Sequence, residues 1–281
     1  MGFTYPMGYL NCLRIFEVMK GDARSMKQIK ILAIGNSFSE DATHYLHQIA
    51  KCSGVDTKVV NLYIGSCSLE THGRNIRTKE KAYRYELNGD HTDRMVSIDE
   101  ILLEDSWDYI VTQQVSYLSG ELETYYPWLT EVISLCKETN PDAKIYLHKT
   151  WAYEIDSQHG GFARYHNSQQ EMYEKITQCS DYVAQEEHIE LIPCGDVIQA
   201  VRKIPPFVYE EGGLSLCRDG FHMSFIYGRY LLAATWAVTL LGIDLIENTY
   251  LPKTIWETGV DAQEEILKVI KELVCLICKQ T

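Results

Sequence analysis

Short runs of apolar residues recur along the chain between longer amphipathic segments, and this alternation most constrains the fold. Four of the runs are Ile31–Ile34, Lys58–Ile64, Tyr109–Thr112 and Lys144–His148, and a fifth is Glu190–Ile192. Most neighbouring residues within a run are apolar instead of alternating with polar ones, as in strands that are covered on both faces. We therefore predict a three-layer α/β/α sandwich with a central, mostly parallel sheet of about five strands.

The segments that join these runs have the periodicity of helices. The predicted helices cover Asp41–Cys52, about Glu121–Lys137, about Phe162–Glu187, residues 224–242 and about Ala262–Lys279. The long segment Arg74–Asp105 is charged and weakly patterned. We predict that it is helical in part and walls one side of a cleft.

The regular pattern begins only at Ile29. We therefore predict an N-terminal extension over residues 1–25. Residues 26–281 are predicted to form a single α/β domain that closes with a C-terminal helix, because the sequence contains no internal repeat or Pro-rich linker that would divide them.

The charge of the chain disfavours whole classes of partner. Lysine and arginine total 26 against 39 aspartate and glutamate residues, a formal net charge of −13, so the sequence lacks the basic patch with which proteins bind nucleic acid or an anionic membrane. The longest apolar run, Leu231–Gly242, is too short to span a membrane. No secretory signal is evident, and nine irregularly spaced cysteines suit a reducing compartment. We expect a cytoplasmic protein that binds neither nucleic acid nor membrane.

Glycines and polar residues follow the predicted strands, at the edge of a parallel sheet where ligands bind. The first strand is followed by Gly35-Asn36-Ser37-Phe38-Ser39. This segment lacks the Lys of a P-loop, the three spaced glycines of a dinucleotide fingerprint and the second glycine of a nucleophile elbow. It places a serine hydroxyl at a helix N-terminus, where Ser37 or Ser39 can act as a nucleophile or only as a cap.

Three further groups of residues are candidates for a functional site. Gly65 follows the second strand, where its N–H can point into a site or only serve a turn. Gln113 and Gln114 follow the third strand and need partners in the cleft or in a buried network. Far downstream, Asp219 precedes His222 by three residues. That spacing lets a carboxylate fix the imidazole tautomer while the other nitrogen accepts a proton from a serine. Taken alone, however, the spacing favours a helix-capping Asp beside a structural His.

Taken in order, Gly35-Asn36-Ser37, Gly65 and Asp219-Gly220-Phe221-His222 resemble the SGNH/GDSL hydrolase superfamily over about residues 28–243. The resemblance implies the flavodoxin-like fold predicted above. It also implies a triad of Ser37 as nucleophile with His222 and Asp219, and an oxyanion hole that includes the N–H groups of Ser37 and Gly65. The chain is similar to a branch of the superfamily that opens with GNSFS and carries Gln-Gln near its third strand.

The chain departs from the superfamily pattern in two places. Asn36 replaces the usual Asp before the serine and keeps a hydrogen-bonding side chain. The usual Gly-x-Asn-Asp block reads Gln113-Gln114-Val115-Ser116-Tyr117 here, so the usual asparagine oxyanion donor is missing. We expect the amide of Gln114, or failing that of Gln113, to replace it, because losing one donor costs about 2.7–4 kcal/mol of transition-state stabilisation.

The resemblance implies a serine esterase that needs no cofactor and no metal. Its expected partner is a small-molecule or glycan ester, and an acetyl group on a carbohydrate is the favoured substrate. We expect Asn36, Trp151 and Tyr153 to bind this substrate, because an aromatic face stacks on a sugar or an acyl chain. Burial of the two rings in the core is the other interpretation.

Two other functions stay open. A non-catalytic glycan-binding protein on the same scaffold would explain the missing asparagine. A metal-dependent hydrolase would use His44 and His47 or Cys217, Asp219 and His222, but no third ligand has a spacing that fits zinc.

Overall fold

A seven-stranded sheet forms the centre of the molecule. The computed structural model describes residues 27–253 and 261–279, and the extension predicted over residues 1–25 lies outside them. The strands are β1 (Ile29–Gly35), β2 (Thr57–Tyr63), β3 (Tyr83–Leu87), β4 (Asp90–Val96), β5 (Tyr109–Thr112), β6 (Lys144–His148) and β7 (Glu190–Ile192).

The strands lie in the order β4-β3-β2-β1-β5-β6-β7. Five neighbouring strands pair in parallel, namely β2, β1, β5, β6 and β7. Strand β3 pairs antiparallel with both β2 and β4. The predicted α/β fold with about five mostly parallel strands is therefore confirmed. Arg74–Asp105 is helical in part, as predicted, at its two ends, and its middle forms the hairpin β3–β4, which the sequence did not predict.

Nine α-helices lie within the described residues. They are α1 (Ser37–Thr43), α2 (Leu46–Cys52), α3 (Leu69–Thr78), α4 (Ile98–Glu104), α5 (Trp128–Thr139), α6 (Gln169–Glu187), α7 (Cys194–Val201), α8 (Tyr227–Leu241) and α9 (Glu264–Cys278). The single helix predicted over Asp41–Cys52 is two helices, and the first begins four residues earlier than predicted. None of the described helices has the length and apolar character needed to cross a membrane.

The two faces of the sheet bury separate hydrophobic layers. Ile31 and Ala33 of β1 pack into the layer that contains α1, α2, α7, α8 and α9. Leu32 and Ile34 of the same strand pack into the layer that contains α3, α4 and α5. Because successive side chains of a strand point to opposite faces, a strand covered on both sides must be apolar throughout. The three-layer architecture follows from this pattern.

The order of the strands also locates a crevice. The chain leaves β1 for β2 on one side and later returns to β5 on the other side of β1. The connections after β1 and β5 therefore run in opposite directions and leave a gap at the carboxyl ends of these strands, which is where open α/β sheets bind ligands. Gly35–Ser39 and Gln113–Tyr117 both lie at this gap.

Candidate active site

Ser37 opens helix α1 directly after the central strand. Asn36 is the N-cap residue, and its Oδ1 accepts a hydrogen bond from the Phe38 N–H at 3.0 Å. Ser39 completes a capping box, since its Oγ accepts from the Asn36 N–H at 3.1 Å. Asn36 and Ser39 therefore cap the helix, and the Ser37 hydroxyl has a different partner.

That partner is His222. The Ser37 Oγ lies 2.9 Å from His222 Nε2, and His222 Nδ1 lies 2.7 Å from Asp219 Oδ2. An ionised carboxylate only accepts hydrogen bonds, so the neutral ring carries its proton on Nδ1 and presents Nε2 as an acceptor to the serine O–H. The three side chains form one continuous chain of hydrogen bonds.

The loop from Asp219 to His222 holds the carboxylate in its ionised form. Asp219 Oδ1 accepts hydrogen bonds from the N–H groups of Phe221 at 3.2 Å and His222 at 2.8 Å. Partial burial raises the pKa of Asp219, but these bonds and the His222 ring outweigh it and hold the pKa below its ordinary value. Gly220 gives the loop its shape with a φ of 87°, a conformation that favours glycine.

Asp41 joins the helix of Ser37 to the loop of His222. It lies one turn after Ser37, and its side chain is fully buried. Its carboxylate accepts hydrogen bonds from Arg218 Nη1 at 3.0 Å, Arg229 Nε at 2.7 Å and the Met223 N–H at 3.0 Å. Sequence reasoning missed this residue, although an acidic side chain on the buried face of a predicted helix is a signal that could have found it.

The turn after β2 lies at the same gap. The Cys67 N–H donates to the Ile64 carbonyl at 3.2 Å, which closes a turn around Gly65 and Ser66. Asn36 Nδ2 donates to the Cys67 carbonyl at 2.9 Å and so fixes the turn beside the start of α1. Ser66 of this turn lines the cleft beside Ser37, whereas Gly65 is not among the lining residues.

A cleft of about 120 Å³ opens beside the Ser37 hydroxyl. Tyr117, His159 and Phe221 line it with partly exposed rings, and the His159 ring centroid lies 4.7 Å from that of Phe221 and 6.1 Å from that of Tyr117. Burial and then the nearby His222 lower the pKa of His159. Its Nδ1 accepts the Gly161 N–H at 3.0 Å, so the neutral ring carries its proton on Nε2.

Comparison with known proteins assigns the family. Residues 30–264 match a family model described as "Domain of unknown function (DUF4886)". The chain belongs to the DUF4886 family. It is similar to the crystal structure of a DUF4886 family protein from Bacteroides uniformis, with 35% identity, a TM-score of 0.79, and 88% of this chain and 93% of that chain covered.

Two more distant structures share the fold. One is a candidate SGNH hydrolase from Slackia heliotrinireducens, with 19% identity, a TM-score of 0.53, and 76% of this chain and 100% of that chain covered. The other is a candidate GDSL-like lipase from Parabacteroides merdae, with 16% identity, a TM-score of 0.51, and 75% and 94% covered. This DUF4886 chain therefore has the SGNH-type α/β fold. No curated protein matches it in sequence.

The two glutamines after β5 support the backbone of this DUF4886 domain. Gln114 Nε2 donates to the Thr124 carbonyl and hydroxyl, both at 3.0 Å, and its Oε1 accepts from the Leu69 and Val115 N–H groups. Both amide hydrogens are engaged, so the expectation that Gln114 replaces the missing oxyanion donor is wrong. Gln113 is 1% exposed and donates to Asn36 Oδ1 at 2.7 Å. Gln113 therefore supports the N-cap residue of helix α1.

Trp151 and Tyr153 lie in the core, so the expectation that they bind substrate is also wrong. Trp151 is fully buried and stacks on Phe38 with ring centroids 3.8 Å apart. Tyr153 is fully buried and its hydroxyl lies 2.7 Å from Ser116 Oγ. Asn36 lines the cleft, but its side chain is engaged in hydrogen bonds with Phe38, Cys67 and Gln113. Besides His222, the partly exposed rings at the cleft are those of Tyr117, His159 and Phe221.

The residues of the metal hypothesis do not gather at one point. His47 Nδ1 lies 2.9 Å from the Thr57 hydroxyl. Cys217 Sγ is the acceptor for Arg202 Nη2 at 3.6 Å. Burial lowers the pKa of His44 to about 3. None of the three is among the residues that line the cleft beside Ser37.

Within the described chain, one group brings three potential metal ligands within 4.8 Å of one another, namely Glu40, Glu86 and His91. Arg84 lies among them, with Nη2 3.4 Å from Glu40 Oε1 and in an ion pair with Glu86. The guanidinium supplies the positive charge that a metal would supply. This group is best described as an ion-pair network on the hairpin side of the sheet.

Proposed function

We propose that this DUF4886 protein is a serine esterase in which Ser37, His222 and Asp219 form the catalytic triad. The observation that supports the proposal most is the continuous chain of hydrogen bonds, with 2.9 Å from Ser37 Oγ to His222 Nε2 and 2.7 Å from His222 Nδ1 to Asp219 Oδ2. A general base must lie within about 3 Å of the proton donor that it serves. The motif that opens with Gly35-Asn36-Ser37 assigns the chain, within this proposal, to the GNSFS branch of the SGNH hydrolases.

The proposed reaction is acyl transfer to water. His222 Nε2 takes the Ser37 proton as the Oγ attacks the ester carbonyl, and a tetrahedral oxyanion forms. The protonated ring then gives its proton to the leaving alcohol, and the acyl group stays on Ser37. His222 next takes a proton from water, the hydroxide attacks the acyl carbonyl, and Ser37 leaves with the proton. Asp219 holds the ring in the required tautomer throughout.

The proposed oxyanion hole uses backbone donors. The N–H of Ser37 starts helix α1, where the positive end of the helix dipole favours a negative charge. The Gly65 N–H is the proposed second donor, and the bond from Asn36 Nδ2 to the Cys67 carbonyl holds its turn near the start of α1. A hole of this kind does not need the asparagine that the superfamily carries in its third block.

The proposed substrate is a short-chain O-acyl ester, with an acetyl group on a carbohydrate as the favoured case. A cleft of about 120 Å³ leaves room for a short acyl group beside Ser37. The rings of Tyr117, His159 and Phe221 at its rim give an aromatic face for a sugar. A net charge of −13 disfavours a polyanionic substrate.

A series of p-nitrophenyl esters from acetyl to octanoyl tests the proposal. We expect the acetyl ester to give the highest kcat/KM and the octanoyl ester a value at least about tenfold lower, because a small pocket rejects extra methylenes. Ser37→Ala should lower kcat by about 10³-fold or more. Ser106→Ala is the matched control, because Ser106 is exposed and lies just before β5, at the end of the strands away from the cleft.

One observation favours a second function, a non-catalytic glycan-binding protein. The amide of Gln114 is engaged with Thr124 and adds no donor to the oxyanion hole. Under this alternative, wild type and Ser37→Ala would bind a glycan equally and hydrolyse no ester. Activity that is lost in Ser37→Ala and retained in Ser106→Ala would exclude it.

We further infer that the protein works in a reducing compartment, and we place it in the cytoplasm. Five cysteines in the described part of the chain are buried free thiols, namely Cys67, Cys136, Cys179, Cys194 and Cys217. Free buried cysteines behave as small apolar residues where disulfides are kept reduced. Fractionation of cells that make the tagged protein tests the location.

A further inference from the structure

A second, larger cavity lies on the Asp219 side of the cleft. It measures about 550 Å³, within the range of small-molecule binding sites. It is bounded by the start of α6, the side of α7 and the loop that contains Tyr209. The cavity contains none of the triad residues, and nothing described above assigns it a role.

This cavity is connected to the triad by a shared wall. Tyr209 lines it and also lines a neighbouring depression of about 240 Å³, which has Asp219 and Gly220 on its other side. The Gly220 carbonyl accepts the Glu154 N–H at 2.8 Å, and Glu154 lines the larger cavity. A molecule with its ester at Ser37 can therefore extend past Asp219 and Tyr209 into this cavity.

Gln199 of α7 lines the cavity and is only 7% exposed. Its Oε1 is buried and has no hydrogen-bond partner within the described chain. An unpaired buried acceptor is unfavourable, and turning the amide toward the cavity would let a ligand that donates a hydrogen bond satisfy it.

Charges in the cavity cancel and leave neutral donors and acceptors. Two cations, Arg202 and Lys203, face two anions, Glu154 and Glu210. Arg202 Nε lies 3.6 Å from Glu154 Oε1, and Glu154 also accepts hydrogen bonds from Ser215 and Gln169. The formal charges of the lining therefore sum to zero, and net charge favours neither an anion nor a cation.

Half of the twelve lining residues carry an amide or a hydroxyl, namely Asn167, Ser168, Gln169, Gln170, Gln199 and Tyr209. Amides and hydroxyls pair with groups that both donate and accept, as the hydroxyls of a sugar do. The Tyr209 ring and Ile155, which is 38% exposed, add apolar surface that suits the C–H face of a sugar ring.

From these observations we infer that the cavity is a distal subsite that binds a neutral sugar unit of a glycan ester, several units away from the ester at Ser37. The inference rests on the proposed esterase function. Contacts at such a remote site raise kcat/KM for long substrates and leave short ones unaffected.

Two variants alter the cavity without touching the triad. Gln199→Met removes the amide and keeps the length of the side chain. Ile155→Trp fills the mouth of the cavity, and Ile246→Trp is its matched control because Ile246 is 53% exposed and lies away from the cavity. All variants should hydrolyse p-nitrophenyl acetate as the wild type does, since this ester cannot reach the cavity.

The test compares mono-O-acetylated sugars from one to six units. In the wild type we expect kcat/KM to rise by about tenfold or more with length, and in Gln199→Met and Ile155→Trp to stay nearly flat. A length dependence that is absent from the wild type, or that survives in both variants, overturns the inference while leaving the esterase proposal intact.

Calorimetric titration with unacetylated xylo-, cello-, manno-, malto- and chito-hexaose gives a readout that does not depend on turnover. We expect at least one of these probes to bind the wild type and Ile246→Trp, and to bind Gln199→Met and Ile155→Trp about tenfold more weakly. Binding by none of the five, or equal binding by all variants, overturns the subsite. Failure to hydrolyse p-nitrophenyl acetate, by contrast, would count only against the esterase proposal.

Discussion

Ser37 and Ser39 lie two positions apart in α1 and have different surroundings. The Ser39 hydroxyl bonds to Asn36 and to Asn61 Oδ1 at 2.7 Å, inside the protein. The Ser37 hydroxyl is partly exposed at the cleft and bonds to His222. From the sequence both serines fit a cap or a nucleophile, because the direction of each side chain depends on where Asn36 places the start of the helix.

Asp219→Asn tests the tautomer argument at a single residue. An amide can donate to His222 Nδ1 and so favour the ring that carries its proton on Nε2, which cannot accept from Ser37. We expect kcat on p-nitrophenyl acetate to fall by about 10³-fold or more with little change in KM. Asp244→Asn is the matched control, because Asp244 also accepts the N–H two residues on, from Ile246, but lies away from the cleft. Equal activity of the two variants would contradict the role of Asp219.

Gly220→Ala tests the shape of the loop. A Cβ at Gly220 would lie 3.0 Å from the Ser157 Cα in addition to the strain at φ 87°. We expect kcat to fall by about 10²-fold, because a shift of about 1 Å at the reacting groups has that effect. Gly212→Ala carries similar strain, at φ 83°, with no atom within 4 Å of the added Cβ, and it should retain activity. Circular dichroism and kcat of both variants settle the comparison.

Helix α1 and the loop that carries His222 come from opposite ends of the chain, and Asp41 connects them. Its carboxylate bonds to residues on both sides of the Asp219–His222 segment, Arg218 and Met223. The distance from Ser37 to His222 is therefore set by a buried ion pair as well as by packing. Because the acid is fully buried between two arginines, its loss leaves uncompensated charge.

Asp41→Asn should act on both stability and catalysis. We expect the free energy of unfolding to fall by about 3–5 kcal/mol, as when one partner of a buried pair is removed. We also expect kcat to fall at temperatures where the variant is folded. Glu104→Gln breaks an ion pair with Arg94 whose side chains are 33% and 40% exposed, and it should cost no more than about 1 kcal/mol. Denaturant titration and kcat for both variants distinguish a positioning role from a purely structural one.

Strands and helices with one strong hydrophobic pattern could be predicted from the sequence. The parallel strands are apolar because both faces are covered, and three of the predicted runs agree closely with β5, β6 and β7. The hairpin was missed because β4 is an exposed edge strand, Asp90–Val96, with the charged sequence that such edges carry. No periodicity in the sequence distinguishes that pattern from a solvated helix.

Some residues of the candidate site could also be predicted from the sequence, and others could not. The positions of Ser37, Asp219 and His222 are local, since each lies within a few residues of a strand end or a helix start. The roles of Gln114 and Trp151 depend on Thr124 and Phe38, which no short motif connects to them. Side chains with distant partners could not be assigned from the sequence, because the partner decides whether an amide or a ring faces the cleft.

At the scale of the whole molecule, three histidines lower the stability of the fold in acid. Burial lowers the pKa of His44, His72 and His148 from 6.5 to about 3. Between these two values the unfolded chain binds protons that the folded chain does not bind. Stability is therefore unaffected above about pH 6.5 and falls as the pH drops below it, with a slope of up to about 1.4 kcal/mol per pH unit for each histidine.

His148→Leu isolates one of these contributions. Neither ring nitrogen of His148 has a hydrogen-bond partner within the described chain, and the ring packs edge-on against Trp236 with centroids 5.3 Å apart. We expect the variant to be at least as stable as the wild type at pH 7, because an unsatisfied buried polar group is removed. Between pH 6 and pH 4 its unfolding free energy should fall less steeply, by about 1.4 kcal/mol per pH unit.

His188→Asn is the control for that measurement. His188 is exposed and has a φ of 53°, a conformation that Asn tolerates. The substitution removes an exposed ring and leaves the core unchanged. Urea titrations at half-unit steps from pH 7 to pH 4 give the slope of unfolding free energy against pH for the wild type and both variants. If the slope of His148→Leu equals that of His188→Asn, His148 is protonated in the folded protein as readily as in the unfolded chain.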